Sequence, residues 1–233
     1  MLISSIDLFE RDPLLGLITV VTLCASLVIG ITVHEFSHAY VATSLGDRTA
    51  ANLGRLSLNP IRHLDPLGSV LILLAGFGWG KPVPVSPTFL RIGQRIGLAM
   101  VSLAGPLSNI IAAAVFGIAV RADVAGLAGP EFTVGRFEGR ALIEFALVSL
   151  VRWNLVLAVF NLLPIAPLDG FKVALGVLPK DAASAYAKTE RYGPGILLIL
   201  ILAGIVFGIP VFSTVIWPVV NLFGDIILGS SLL

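Results

Sequence analysis

The chain of 233 residues is 57% hydrophobic and only 12% charged, and its mean hydropathy is +0.99. A soluble domain of this size does not expose so apolar a surface, so the composition predicts a polytopic integral membrane protein. The net charge of +1 argues against a nucleic-acid partner, and the lone Cys24 excludes an intramolecular disulfide or a cysteine metal cluster.

The first apolar run extends from about Leu14 to Ser44 and has no charged residue before His34. It is long enough to cross a bilayer, for which a helix needs about 20 apolar residues. The residues in front of it lack a positive leader and a small-residue cleavage site. We therefore expect a retained helix rather than a cleaved signal peptide.

This run contains His34-Glu35-Phe36-Ser37-His38, an H-E-x-x-H motif. Histidines four residues apart project from the same face of a helix, so both imidazoles can bind one metal ion. Glu35 is placed to act as the base for a water molecule on that metal. Ionisable side chains at bilayer depth are costly, which favours a functional site over simple packing of these residues against one another. A third ligand would decide between the two interpretations.

A shorter apolar run, Leu67 to Phe77, has only about half the length of a spanning helix. It ends in GFGWGKPVPVSP, whose glycines and prolines interrupt helices and favour turns or edge strands. We predict a short re-entrant or strand-like insertion between the first and second membrane helices, which does not cross the bilayer.

Four further apolar runs are candidates for membrane helices. They are Gly93 to Val120, Ala141 to Leu163, Gly193 to Gly208 and Val211 to Leu228. The last two are expected to form a helical hairpin. The predicted fold is an all-α integral membrane protein with about five transmembrane helices. It forms one domain, with a metal-binding core of residues 14–178 and a C-terminal hairpin of residues 193–230.

Asp169 is the candidate third metal ligand. It lies in the turn beyond the run that ends at Leu163, and a carboxylate is a suitable ligand for zinc. If the short insertion does not cross, three crossings bring Asp169 to the face at which His38 lies. If it crossed, Asp169 would emerge on the opposite face. Glu144 and Glu190 are the alternative third ligands.

The positive charges give a second test of this topology. A non-crossing insertion puts ten Lys and Arg residues on the face of the metal site and four on the other, with Arg152 inside its helix left out. A crossing insertion would divide them eight against six. Because positive loops remain in the cytoplasm, the bias predicts a metal site nearer the cytoplasmic face, an external N-terminus and a cytoplasmic C-terminus.

The motif HEFSHA on an apolar helix, followed downstream by NLLPIAPLDG, resembles the site-2 protease family of intramembrane zinc metalloproteases. The segment SLAGPLSN (Ser102 to Asn109) is similar to that family's small-residue motif on the helix between the two metal-binding segments. The segments NPIRHLDPLGS and GWGKPVPV are similar to a compact bacterial or archaeal branch without PDZ or CBS domains. The resemblance covers most of the chain from His34 to Gly170.

The resemblance implies that His34, His38 and Asp169 bind one Zn²⁺ ion per chain and that Glu35 is the catalytic acid and base. The zinc-bound water would attack the peptide carbonyl while Glu35 takes its proton and returns it to the leaving amine. It also implies regulated intramembrane proteolysis in a prokaryotic plasma membrane. The substrate would be a transmembrane protein, such as a membrane-bound regulator or an anti-sigma factor, cut within or near its spanning segment in the lipid bilayer.

Two further roles and two rival functions remain open. Asn109 and Asn161 are candidates for contact with an oxyanion or the substrate, and the alternative for each is a helix-to-helix hydrogen bond. The GFGWGKPVPV stretch offers an edge to which an unwound substrate could add as a strand, with a plain surface loop as the alternative. One rival is a metal-dependent transporter, for which Glu35→Gln would preserve function. The other is a non-catalytic binding member of the family, against which the retained ligands and base argue.

Overall fold

The computed structural model describes residues 8–75, 78–128, 133–134, 137–208 and 211–229, and nearly all of its regular structure is helical. The helices are α1 (Pro13–Ser44), α2 (Thr49–Asn52), α3 (Pro66–Ala75), α4 (Gln94–Arg121), α5 (Gly139–Asn161), α6 (Asp169–Val177), α7 (Lys180–Ala187), α8 (Gly193–Phe207) and α9 (Val211–Leu228). Short 3₁₀ turns occupy Pro60–Arg62, Pro87–Phe89, Val124–Ala128 and Glu190–Tyr192. Two strands of two residues each, β1 (Thr133–Val134) and β2 (Phe137–Glu138), form an antiparallel pair. The predicted helical fold class is confirmed.

Among the described residues, three helices, α1, α4 and α5, are long and apolar enough to cross a membrane. They contain 32, 28 and 23 residues, against the roughly 20 that a bilayer requires. Helix α8 has 15 residues, and the described apolar part of α9, Thr214–Leu228, is also shorter than a bilayer requires. The count of five crossings therefore stays a prediction.

The three long helices contact one another, and α4 also packs along α6. A Cβ at Gly176 of α6 would lie only 2.2 Å from the Ala99 Cβ of α4, so the two helices pack very closely there. The largest buried apolar cluster joins α4, α5 and α9. The guanidinium of Arg152 on α5 also lies 4.5 Å from the Trp217 ring centroid on α9, a cation–π contact between these helices.

Residues 45–93 form the insertion between α1 and α4. Its apolar run is helical from Pro66 to Ala75, a length of about 15 Å, or half of the hydrocarbon core. Residues 76–77 of the predicted insertion lie outside the described residues. Gly80 then pairs with Leu64 through an isolated antiparallel bridge, and the chain continues to Ser86 without helix. The described apolar run is thus helical rather than strand-like, and its re-entry into a membrane stays a prediction.

Candidate metal centre

Three side chains that could bind a metal meet where α1 faces the start of α6. His34 and His38 lie one turn apart on α1 and are both buried, and Asp169 is the first residue of α6. The Asp169 Oδ2 lies 3.0 Å from His34 Nε2 and 3.2 Å from His38 Nε2. The potential ligand atoms of the three residues all lie within 4.8 Å of one another. The structure therefore brings together all three ligands predicted from the sequence.

The outer nitrogens of both imidazoles are held by hydrogen bonds. His34 Nδ1 donates to Asn109 Oδ1 at 2.7 Å, and His38 Nδ1 donates to the Val101 carbonyl at 2.7 Å. A carbonyl oxygen can only accept, so each Nδ1 carries the proton and each neutral ring keeps its Nε2 lone pair. Hydrogen bonds of this kind fix the ring orientation and tautomer of metal-binding histidines.

The geometry of these three groups fits zinc. Two Nε2 lone pairs and a carboxylate oxygen converge on one point, an arrangement that favours a cation at the centre. Tetrahedral zinc with bonds of about 2.0–2.1 Å separates neighbouring ligand atoms by about 3.3 Å, close to the 3.0 and 3.2 Å found here. When the site holds no metal and the two rings take up a second proton at Nε2, burial alone would still raise the pKa of Asp169, but the hydrogen bonds and charges of His34 and His38 hold it well below its usual range. Asp169 is then a carboxylate.

Gly105 on α4 leaves the space that the two histidines occupy. A Cβ at this position would lie 2.5 Å from His38 Cε1 and Nε2 and 2.6 Å from His34 Nε2. The helix continues past it through the buried Pro106. Position 105 in the SLAGPLSN segment must therefore be glycine, because any larger side chain there would collide with both histidine rings. The sequence alone indicated no role for Gly105 beyond its place in this small-residue segment.

Asn109 is fully buried and connects α4 to α1 and α5. Its Nδ2 donates to the Gly30 carbonyl at 3.0 Å and to Asn154 Oδ1 at 2.9 Å, while its Oδ1 accepts from His34. Both amide hydrogens of Asn109 are engaged, so its contacts favour a role in orienting His34. Its contact with an oxyanion or the substrate stays a prediction. Asn161 donates to a carbonyl of its own helix. Asn154 lies with Arg152 inside the apolar run Ala141 to Leu163, and the sequence alone assigned it no role at the metal group.

Glu35 is partly buried beside the metal ligands. Within the described part of the chain, no group donates a hydrogen bond to its carboxylate. A Cβ at Gly80 would lie 3.5 Å from Glu35 Oε1, which places the extended chain that follows α3 next to this carboxylate. As far as the described residues are concerned, the carboxylate of Glu35 can accept a proton or a hydrogen bond from a water molecule.

Comparison with curated proteins identifies relatives that cover most of the chain. It is 41% identical over 207 residues to "Putative zinc metalloprotease YwhC" of Bacillus subtilis (strain 168), covering 88% of this chain and 89% of that protein. The chain belongs to the site-2 protease family. This member of the site-2 protease family is also 32% identical over 189 residues to "Putative zinc metalloprotease Rip2" of Mycobacterium tuberculosis (strain H37Rv), covering 78% of this chain and 67% of the relative. No family model and no solved structure matches it.

The alternative third ligands do not reach the metal group of this site-2 protease family member. Among the described residues, the group that could hold a metal comprises His34, His38 and Asp169 and includes neither Glu144 nor Glu190. Among the described residues, the carboxylate that lies beside the two histidines is therefore that of Asp169 in the LDG segment.

Proposed function

We propose that this site-2 protease family member is an intramembrane zinc endopeptidase that cleaves membrane-anchored proteins within or near their transmembrane segments. The observation that carries the proposal is the group of the buried His34 and His38 with the partly buried Asp169, beside a Glu35 carboxylate to which no described residue donates a hydrogen bond. Both histidines lie on a helix apolar and long enough to cross a membrane. The names of the two relatives both contain the words zinc metalloprotease, which supports the same chemistry.

The roles of the residues follow from their positions. His34, His38 and Asp169 would hold one zinc ion, and three protein ligands leave a fourth position open, as in catalytic zinc sites. When bound, zinc supplies a Lewis acid and lowers the pKa of a bound water to about 7. Glu35 takes the proton of the attacking water and gives it to the leaving amine. Asn109 and the Val101 carbonyl hold the two rings in the required tautomer.

The extended segment Gly80–Ser86, called the edge segment below, supports the binding of an unwound substrate. A transmembrane helix hides its amides in its own hydrogen bonds, so it must unwind before cleavage. Within the described residues, the backbone N–H groups of Val83 and Val85 donate to no other group. Free backbone groups on an extended segment can pair with a peptide by strand addition. Because Gly80 borders Glu35, such a peptide would lie beside the proposed catalytic carboxylate.

The membrane arrangement and the physiological substrate are further parts of the proposal. The excess of positive charge supports five crossings, a metal site nearer the cytoplasmic face and a cytoplasmic C-terminus. Cleavage at that face would release a cytoplasmic product. A membrane-bound regulator or an anti-sigma factor is a substrate of this type, and the family resemblance is the support for that choice.

The test is to measure zinc content and cleavage of a generic transmembrane substrate in detergent. We compare the wild type with Glu35→Gln and Asp169→Ala, and use the exposed Glu190→Gln as the matched control. Glu35→Gln should retain zinc and lose cleavage by about 10²- to 10⁴-fold, the contribution typical of a general acid–base group. Asp169→Ala should lose zinc, and Glu190→Gln should resemble the wild type. Full cleavage by Glu35→Gln would refute the role of Glu35 as acid and base, whereas a wild type that binds zinc and does not cleave would favour the metal-dependent transporter.

A further inference from the structure

The edge segment is anchored at its first end by Arg55, a buried residue that follows α2. Only 5% of Arg55 is exposed. Its guanidinium donates to the carbonyls of Arg62 and Lys81 and, at 3.1 Å, to that of Pro82. The Lys81 N–H donates in turn to the His63 carbonyl at 2.7 Å. The polar backbone groups at this end are thus bound within the insertion.

The other end of the edge segment is anchored by Asp47, which directly follows the turn after α1. Asp47 is fully buried. Its Oδ2 accepts a hydrogen bond from the Ser86 N–H at 2.6 Å. Its Oδ1 accepts from the N–H of Thr49 at 3.0 Å and from the hydroxyl of the same residue at 2.5 Å. Burial alone would raise the pKa of Asp47, but these hydrogen bonds from Thr49 and Ser86 lower it below its usual value.

Neither charged anchor has an oppositely charged partner in contact with it among the described residues. Burial of an unpaired charge is costly unless hydrogen bonds compensate for it. For Arg55, burial lowers the pKa and the negative charge of Glu35 opposes that effect, so the guanidinium lies within electrostatic reach of the proposed catalytic carboxylate. Two buried charges therefore serve mainly to bind the backbone on either side of a short extended chain.

The backbone between the two anchors is left available. The anchors engage Lys81, Pro82 and Ser86, whereas the N–H groups of Val83 and Val85 have no acceptor in the part of the chain that is described. A plain surface loop needs no buried charges to hold its two ends. An edge that must present backbone groups to a substrate in one fixed conformation does need them, since ordering a loose segment on binding costs affinity.

We propose that Arg55 and Asp47 are positioning residues that hold the edge segment beside Glu35, so that a substrate strand paired with Val83 and Val85 enters the metal site in one register. This inference rests on the proposed function. In this arrangement the insertion provides a pre-formed extended segment for the substrate, held at each end by a buried charged side chain.

The test compares steady-state cleavage of a transmembrane substrate by wild type, Arg55→Gln, Arg55→Lys and Asp47→Asn in detergent, with zinc content and Tm of each. The matched control is Arg48→Gln, which removes the same charge from an exposed neighbour. We expect Arg55→Gln and Asp47→Asn to keep zinc, because neither residue contacts a ligand. Their KM should rise about tenfold or more, because hydrogen bonds to a charged group are lost and the edge segment is held less firmly. Their kcat should stay within about threefold of the wild type, because loss of uniform binding leaves kcat unchanged.

Arg55→Lys keeps the charge but replaces a planar fork by a compact ammonium, so its KM should lie between those of the wild type and Arg55→Gln. Arg48→Gln should keep the wild-type KM. A wild-type KM in zinc-loaded Arg55→Gln and Asp47→Asn would overturn the proposal, as would a lower kcat with unchanged KM. If Arg55→Gln does not fold, zinc-loaded Arg55→Lys takes its place in the comparison. A wild-type KM in Arg55→Lys would then overturn the proposal. Absence of zinc-dependent cleavage in the wild type would instead refute the proposed function.

Discussion

Gly105→Ala is expected to weaken zinc binding without removing a ligand. Its Cβ would lie 2.5 Å from His38 Nε2 and 2.6 Å from His34 Nε2, whereas a favourable contact requires about 3.5 Å. The rings would have to move by about 1 Å, and metal sites tolerate about 0.2 Å in their ligand distances. Both rings are also tethered at Nδ1. We therefore expect zinc affinity to fall by at least the roughly 10- to 100-fold that loss of an outer hydrogen bond costs.

The assay is competition for zinc with a chromophoric chelator in detergent, combined with thermal unfolding. Gly117→Ala is the matched control on the same helix, because its Cβ would lie 2.1 Å from Ile227 Cγ2 on α9 rather than against a ligand. This control should lower Tm and keep the wild-type zinc affinity of the folded protein. Wild-type zinc affinity in Gly105→Ala would refute the argument that this glycine provides the space for both histidines.

Two further substitutions test the hydrogen-bond network and the edge segment. Asn109→Ala removes the acceptor of His34 Nδ1, so zinc affinity should fall by about 10- to 100-fold in the same competition assay. Asn161→Ala, which loses a hydrogen bond within its own helix, is the control. An unchanged zinc affinity in Asn109→Ala would exclude the role of Asn109 in positioning His34. Val85→Pro removes a free N–H of the edge segment and should raise the KM for a transmembrane substrate with zinc content intact. Val85→Ala keeps that N–H and is its control, and unchanged cleavage by Val85→Pro would exclude strand addition at this residue.

The long helices could be predicted because their signals are local. The apolar run Gly93 to Val120 corresponds to α4 at Gln94–Arg121, and Ala141 to Leu163 corresponds to α5 at Gly139–Asn161. A run of apolar residues fixes the length of a spanning helix whatever its neighbours are. The spacing of the H-E-x-x-H motif likewise places two imidazoles on one face through helix geometry alone.

The position of Asp169 could be predicted through topology rather than through spacing. The number of crossings between α1 and α6 decides at which face Asp169 emerges, and a non-crossing insertion brings it to the two histidines. The structure confirms this meeting, with Asp169 Oδ2 within 3.2 Å of both Nε2 atoms. The conformation of Leu67 to Phe77 could not be predicted, because a short apolar run fits a helix or a strand equally well.

The amino-acid sequence by itself determined the helical class, the candidate metal ligands and the proposed base, since these rest on hydrophobic length, helix periodicity and the predicted number of crossings. Only the tertiary structure decided which residues support them. Asn109 contacts His34 across 75 positions of sequence, and Arg55 binds carbonyls 26 and 27 positions away. Such contacts depend on how each helix is rotated about its axis and how closely the backbones approach. Packing between distant segments sets both, so neither local spacing nor composition reveals them.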